Sequence, residues 1–241
     1  MDDILLVGIV LLGASVQWLT GMGFALVAVP ALVLLLGPAE GVVLANCASG
    51  VICLVGLAEG WRRVRVGAMV PLCVAAGCTV PVGVWLTRRL PEPVLLSVMG
   101  VLVTLAVLLV MGGARVRALR GAGGAVAAGA LGGVMNSAAG VGGPPMSLYA
   151  VNAGWSVREF VPNAFFYGVV VNVFSVVAHG VPGLGTARWV YVALALAVGM
   201  VIGRGLARRL SERRARWVVL GLALVGGVTT LVKGVWGMWE S

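Results

Sequence analysis

The chain has 241 residues, 61% of them hydrophobic and 10% charged, with a mean hydropathy of +1.08. An ordinary soluble domain is about 25% charged. A soluble fold of this length could not hide so much apolar surface, so the composition excludes one and points to an integral membrane protein. The basic excess, 17 Lys and Arg against 8 Asp and Glu for a net +9, reads as an arginine-rich cytoplasmic face rather than a nucleic-acid footprint.

The apolar runs predict helices over 4–20, 24–36, 42–58, 67–87 and 94–112, then over 124–138, 142–152, 160–178, 188–206 and 217–236. The first run begins Met1-Asp2-Asp3, without the basic start of a cleaved signal. Residues 4–36 form one apolar stretch of 33 residues. As one straight helix it would be about 50 Å long, well beyond a hydrocarbon core of about 30 Å. The break at Thr20-Gly21-Met22-Gly23 therefore suggests a hairpin of two short helices. A longer break, Asn136 to Pro145, divides the corresponding stretch in the second half. Cys47, Cys53, Cys73 and Cys78 lie in apolar runs without CxxC spacing and are read as packing residues. No metal or cofactor is expected.

The two halves repeat. Gly21-Met22-Gly23 aligns with Gly140-Val141-Gly142 at an offset of 119. Gly37-Pro38-Ala39-Glu40 with Asn46 aligns with Gly154-Trp155-Ser156-Val157 with Asn163 at 117, and Arg88-Arg89-Leu90-Pro91-Glu92 with Arg208-Arg209-Leu210-Ser211-Glu212 at 120. If each broken segment returns to its starting side, each half adds three crossings and the repeats are inverted. One side then collects Arg62, Arg63, Arg65, Arg115, Arg117, Arg120, Arg158, Arg204, Arg208, Arg209, Arg213, Arg214 and Arg216, against Arg88, Arg89, Arg188 and Lys233 on the other, a split of 13 to 4. If each broken segment crosses once, the split is 8 to 9. The positive-inside rule favours the first arrangement, with both termini outside the cytoplasm. The expected fold is an all-α polytopic membrane protein of two inverted repeats, 1–120 and 121–241. Each repeat is a Gly-broken helical hairpin plus three transmembrane helices.

Inverted repeats with broken helices are a transporter plan. Non-helical backbone at membrane depth is tolerated where it lines a cavity or is buried in protein. Pro144 and Pro145 suit the first turn of a helix, where an N–H would be orphaned. Gly140, Gly142 and Gly143 let backbone approach a ligand. Free N–H groups and the positive end of the helix dipole make such a point an anion site. Asn136 and Ser137 add side-chain donors, and Gln17, Thr20, Gly21 and Gly23 form the weaker counterpart. Asn46 and Asn163 occupy matching places on the third span of each repeat and are candidate substrate contacts, with an interhelical hydrogen bond as the plainer reading. Asn172 is a weaker candidate. No charged residue stands in the middle of a span, so the anion is expected to be held by backbone dipoles and neutral donors. His179 is the single histidine and is read as structural at the interface. The tryptophans read as an interfacial belt, except Trp18, which abuts the first break. Ser137 and His179 are the one pair that an intramembrane hydrolase could use, but no G-x-S-x-G elbow surrounds Ser137. The chain is read as a non-enzyme.

At Thr20-Gly21-Met22-Gly23-Phe24 with Pro30, at Gly133-Val134-Met135-Asn136-Ser137-Ala138-Ala139-Gly140-Val141-Gly142-Gly143-Pro144-Pro145, and at Gly203 with Arg208-Arg209-Leu210, the sequence resembles the TauE/SafE family of membrane permeases, the sulfite-exporter type. The resemblance covers essentially the whole chain. It implies movement of sulfur-containing anions, such as sulfite or organosulfonates, across a bacterial-type inner membrane. Met22 and Phe24 depart from the glycine-rich pattern of the family. The expected function is secondary transport of small anions by alternating access. A passive anion channel and a non-transporting assembly subunit are the competing readings. The expected partners are a small anion and the lipid bilayer, without nucleic acid; a coupling ion and a homo-oligomer are left open.

Overall fold

The computed structural model describes residues 2–21, 23–112, 121–207 and 212–239. Ten α-helices occur among them, and no strand: α1 Asp2–Thr20, α2 Phe24–Leu36, α3 Pro38–Gly60, α4 Val66–Arg89, α5 Glu92–Met111, α6 Gly121–Ala139, α7 Gly143–Asn152, α8 Val157–His179, α9 Thr186–Ala207 and α10 Glu212–Trp239. All ten expected helices are present. Six of them, α3, α4, α5, α8, α9 and α10, are long and apolar enough to cross a membrane. Large apolar side chains such as Val177, Val201, Val225 and Leu194 face outward, as they do where the surroundings are lipid rather than water. The protein is an integral, multi-pass, all-α membrane protein.

Local chemistry sets the helix limits. Gly21 and Gly140 take positive φ, +80° and +66°, which ends α1 and α6 in a way that L side chains resist. Pro38 opens α3, and Pro144 and Pro145 open α7, where the missing N–H costs nothing. Ser156 and Glu159 close a capping box on α8, the Ser156 N–H donating to Glu159 Oε2 at 2.9 Å.

The spacing of the helices is regular. From Phe24 to Gly143 and from Pro38 to Val157 is 119 residues each time, and from Val66 to Thr186 is 120. Helix partners follow the same pattern: α1 packs on α9 and α6 on α4, while α3 pairs with α8 and α5 with α10. Glycines permit the closest of these contacts. A methyl group on Gly129 or Gly133 would strike the α4 carbonyls of Leu72 and Ala76, and one on Gly199 would lie 2.6 Å from the Leu11 carbonyl of α1.

Ion pairs and caps fix which helix ends lie together. Asp3 of α1 pairs with Arg188 of α9 at 2.9 Å, and Glu40 of α3 accepts the Gly183 N–H at 3.0 Å. Arg88 of α4 reaches the Ala178 carbonyl of α8 at 3.3 Å. At the opposite ends, Arg204 of α9 pairs with Glu59 of α3 at 3.0 Å and lies 5.8 Å over the Trp18 ring. Arg65 pairs there with Glu159 of α8 at 3.2 Å. Arg115, Arg117, Arg120, Arg208 and Arg209 of the charge count lie outside the described residues.

Candidate functional site

The two breaks meet at a narrow cavity of about 30 Å³. Its walls come from α1 and the first break (Gln17, Gly21), α2 (Ala25), α3 (Ser49, Cys53), α6 and the second break (Asn136, Gly140, Gly142), α7 (Gly143) and α8 (Ala164, Tyr167, Gly168, Val171, Asn172). No lysine, arginine, histidine, aspartate or glutamate is among them.

A chain of neutral hydrogen bonds crosses this space. Gln17 Nε2 donates to the Ser49 carbonyl at 3.4 Å and reaches Cys53 Sγ at 3.1 Å. Ser49 Oγ donates to Gln17 Oε1 at 3.1 Å and accepts from Asn172 Nδ2 at 3.2 Å. Asn136 is the hub of the other side. Its Nδ2 faces Asn46 Oδ1 at 3.2 Å, Asn172 Oδ1 at 3.2 Å and Ser175 Oγ at 2.9 Å. That amide has two hydrogens for three acceptors, so one acceptor is always free to take another donor. Asn136 Oδ1 accepts the Gly142 N–H at 3.2 Å, which uses one of the donors at the start of α7.

The backbone donors differ between the two breaks. The N-cap and first three residues of a helix carry N–H groups without an intrahelical acceptor. For α7 these positions are Gly142, Gly143, Pro144 and Pro145. Proline has no N–H, and the Gly142 N–H is held by Asn136, so Gly143 supplies the one remaining donor. For α2 the positions are Gly23, Phe24, Ala25 and Leu26, all with an N–H. The first break, which reads as the weaker half in sequence, thus offers more backbone donors. Both helices point their positive ends toward the cavity.

The expected site residues divide as follows. Gln17, Gly21, Asn136, Gly140, Gly142 and Gly143 line the cavity, and Asn46 is tied to it through Asn136. Gly23 is the N-cap of α2, and Pro144 is buried in the first turn of α7. The Thr20 side chain, and Met22 beside it, lie outside the described residues. Ser137 is turned away. Its hydroxyl bonds back to the Gly133 carbonyl at 2.8 Å, and its side chain faces Gly83 of α4. Asn163 sits at the start of α8, where its Oδ1 accepts the Arg65 N–H at 2.8 Å and its Nδ2 donates to the Glu159 carbonyl at 2.7 Å. It braces the start of α4 rather than the cavity. With the helices spaced by 119, the counterpart of Asn46 is Phe165, not Asn163. His179 Nε2 lies 2.8 Å from the Ser137 carbonyl oxygen, not from its hydroxyl, so it caps the end of α6.

Ser49, Cys53, Tyr167, Gly168 and Ser175 were not singled out by motif. Helical spacing held a signal for them. Asn46, Ser49 and Cys53 recur at three and four residues on α3, as Gly168, Asn172 and Ser175 do on α8. Small and polar residues at that period in an apolar helix mark its interior face. The 119-residue spacing places Cys53 opposite Asn172, and Gln17–Cys53 repeats the contact Asn136–Asn172.

Such a cavity, uncharged and walled by two broken helices, can hold a small ligand by hydrogen bonds and helix-end dipoles. No curated protein and no solved structure matches the chain significantly. The model of the sulfite exporter TauE/SafE family matches residues 5–230, and on that match the chain belongs to the TauE/SafE family of sulfite exporters.

Proposed function

We propose that the protein is a secondary transporter that moves small sulfur-containing anions, such as sulfite or organosulfonates, by alternating access between two inverted halves, 1–120 and 121–241. The observation that carries the reading is the convergence of two helix breaks on one uncharged polar cavity within a bundle of membrane-crossing helices. The anion is held at the starts of α2 and α7, with Asn136 and Gln17 as side-chain donors.

Contacts at the helix ends support the inversion. α1 begins at the end marked by Asp3 and Arg188, and α2 leads back to Glu40 at that same end. The α6–α7 hairpin instead leads into α8 at the opposite end, marked by Arg65 and Glu159. Arg62, Arg63, Arg65, Arg158 and Arg204 belong to the second end, which we take as the cytoplasmic face of a bacterial-type inner membrane. The cavity of about 30 Å³ has room for about one or two waters and not for a sulfur oxyanion. Loading the anion therefore requires the cavity to widen, with the hairpins moving away from α3 and α8.

Purified protein in proteoliposomes tests the reading. Flux of sulfite or a sulfonate above that of protein-free vesicles is expected, with loss of flux in Asn136→Ala. Absence of flux for every sulfur anion offered, from a folded protein, would overturn it.

A further inference from the structure

Among the described residues of the cavity wall, every polar side chain is engaged with another, with one exception. Tyr167 of α8 is 1% exposed, lines the cavity, and has no hydrogen-bond partner for its hydroxyl. The hydroxyl rests against Gly132 of α6, close enough that no Cβ could stand there, and a Cβ at Gly132 would also lie 3.0 Å from the Gly142 carbonyl. The phenol is thus delivered to the second break, where Gly142 and Gly143 begin α7. Gly132 has no side chain to fill the place the hydroxyl takes. Buried hydroxyls normally have partners, and one without a partner at a cavity wall calls for an explanation.

We propose that the Tyr167 hydroxyl and the Gly143 N–H form the seat for one oxygen of the transported anion, and that this site selects a singly charged sulfur oxyanion over a compact dianion. The inference rests on the transport reading above. Tyr167, Gly143 at the start of α7 and Asn136 all belong to the wall of the same cavity. All are neutral. The solvation energy lost when an ion leaves water grows with the square of its charge, roughly fourfold from one charge to two. No cation stands among the described lining residues, so neutral donors must replace the hydration, and the demand is far smaller for a sulfonate or hydrogen sulfite than for sulfate.

The test uses the full-length protein in detergent or nanodiscs, with methanesulfonate and sulfate as probes, comparing wild type with Tyr167→Phe. These probes share a tetrahedral sulfur and differ by one charge. Wild type is expected to bind methanesulfonate at least about tenfold more tightly than sulfate. Tyr167→Phe is expected to weaken methanesulfonate by about tenfold or more, as loss of a hydrogen bond to a charged group does. Its ligand-free melting temperature should be equal to that of wild type or higher, because an unpaired buried hydroxyl has been removed. Equal binding by Tyr167→Phe, or a markedly lower ligand-free melting temperature, would overturn the role of the hydroxyl. Sulfate bound as tightly as methanesulfonate would overturn the charge selection. If wild type neither binds nor moves any sulfur anion, the transport reading itself fails, whatever Tyr167→Phe does.

Discussion

Gln17 and Asn136 stand 119 residues apart, and each accepts at its backbone carbonyl the N–H of the glycine four residues later, Gly21 at 2.7 Å and Gly140 at 2.8 Å. Each thus stands one turn before the glycine at which a helix turns back. The two are linked across the cavity through Ser49 and Asn172. A motion that separates the hairpins must break this chain or slide along it, which makes it a coupling between the halves as well as a wall of the site.

Asn136→Ala removes the donor shared by Asn46, Asn172 and Ser175 and the acceptor of the Gly142 N–H. Leaving those groups unpaired should cost about 1–3 kcal/mol of stability, together with loss of transport. Ser137→Ala, one residue on, removes only bonds within its own helix, to the Gly133 and Val134 carbonyls. It should cost about 1 kcal/mol or less and retain flux. Melting curves and proteoliposome flux on both variants separate the two positions; similar losses from both would show the assignment of the cavity face of α6 to be wrong.

Gly140→Ala should destabilise more than Gly21→Ala. Both require a residue at positive φ, which costs an L side chain about 1–2 kcal/mol. At Gly140 the new Cβ would also lie 2.9 Å from Val29 Cγ2, whereas at Gly21 the nearest atom is at an ordinary 3.7 Å. Thermal unfolding of the two variants checks the order.

Close packing of α4 on α6 gives a third expectation. A Cβ at Gly133 would meet the Ala76 carbonyl and the Thr79 hydroxyl, and overpacking against backbone costs about 1–3 kcal/mol. Gly123→Ala on the same helix meets nothing within 4 Å and should be neutral or stabilising by up to about 1 kcal/mol. The contrast between the two alanines, read by melting temperature, isolates the packing from helix propensity.

Cysteines placed at Arg62 and Arg204, on a background lacking the four native cysteines, should be labelled from one side of the membrane, and cysteines at Arg89 and Arg188 from the other. Arg204 pairs with Glu59, three residues before Arg62, and Arg188 pairs with Asp3. An impermeant maleimide applied to oriented vesicles reads the sides. Labelling of Arg62 and Arg204 positions from opposite sides would remove the basis for inverted halves.

Much of this protein was legible from its sequence. Hydropathy places every helix, because a span must be apolar along its whole length. Glycine and proline place both breaks, because their effect is local to the backbone. The repeated landmarks recur at 117 to 120 residues in sequence, while α2 and α3 recur as α7 and α8 at 119; the difference of two at Asn46 and Asn163 arises because Gly154 lies in the loop and Ser156 is the N-cap of α8. What the sequence could not settle is rotation. A helix apolar on every side carries a weak record of which face turns inward, and packing decides it. That is why Ser137 faces α4, why Asn163 braces Arg65, and why Ser49, Asn172, Ser175 and Tyr167 come together at one wall. That the described lining residues carry no charge agrees with the lack of charged residues in the middle of the spans. Its donors, and the one hydroxyl among them without a partner, follow from how α8 is turned against the second break.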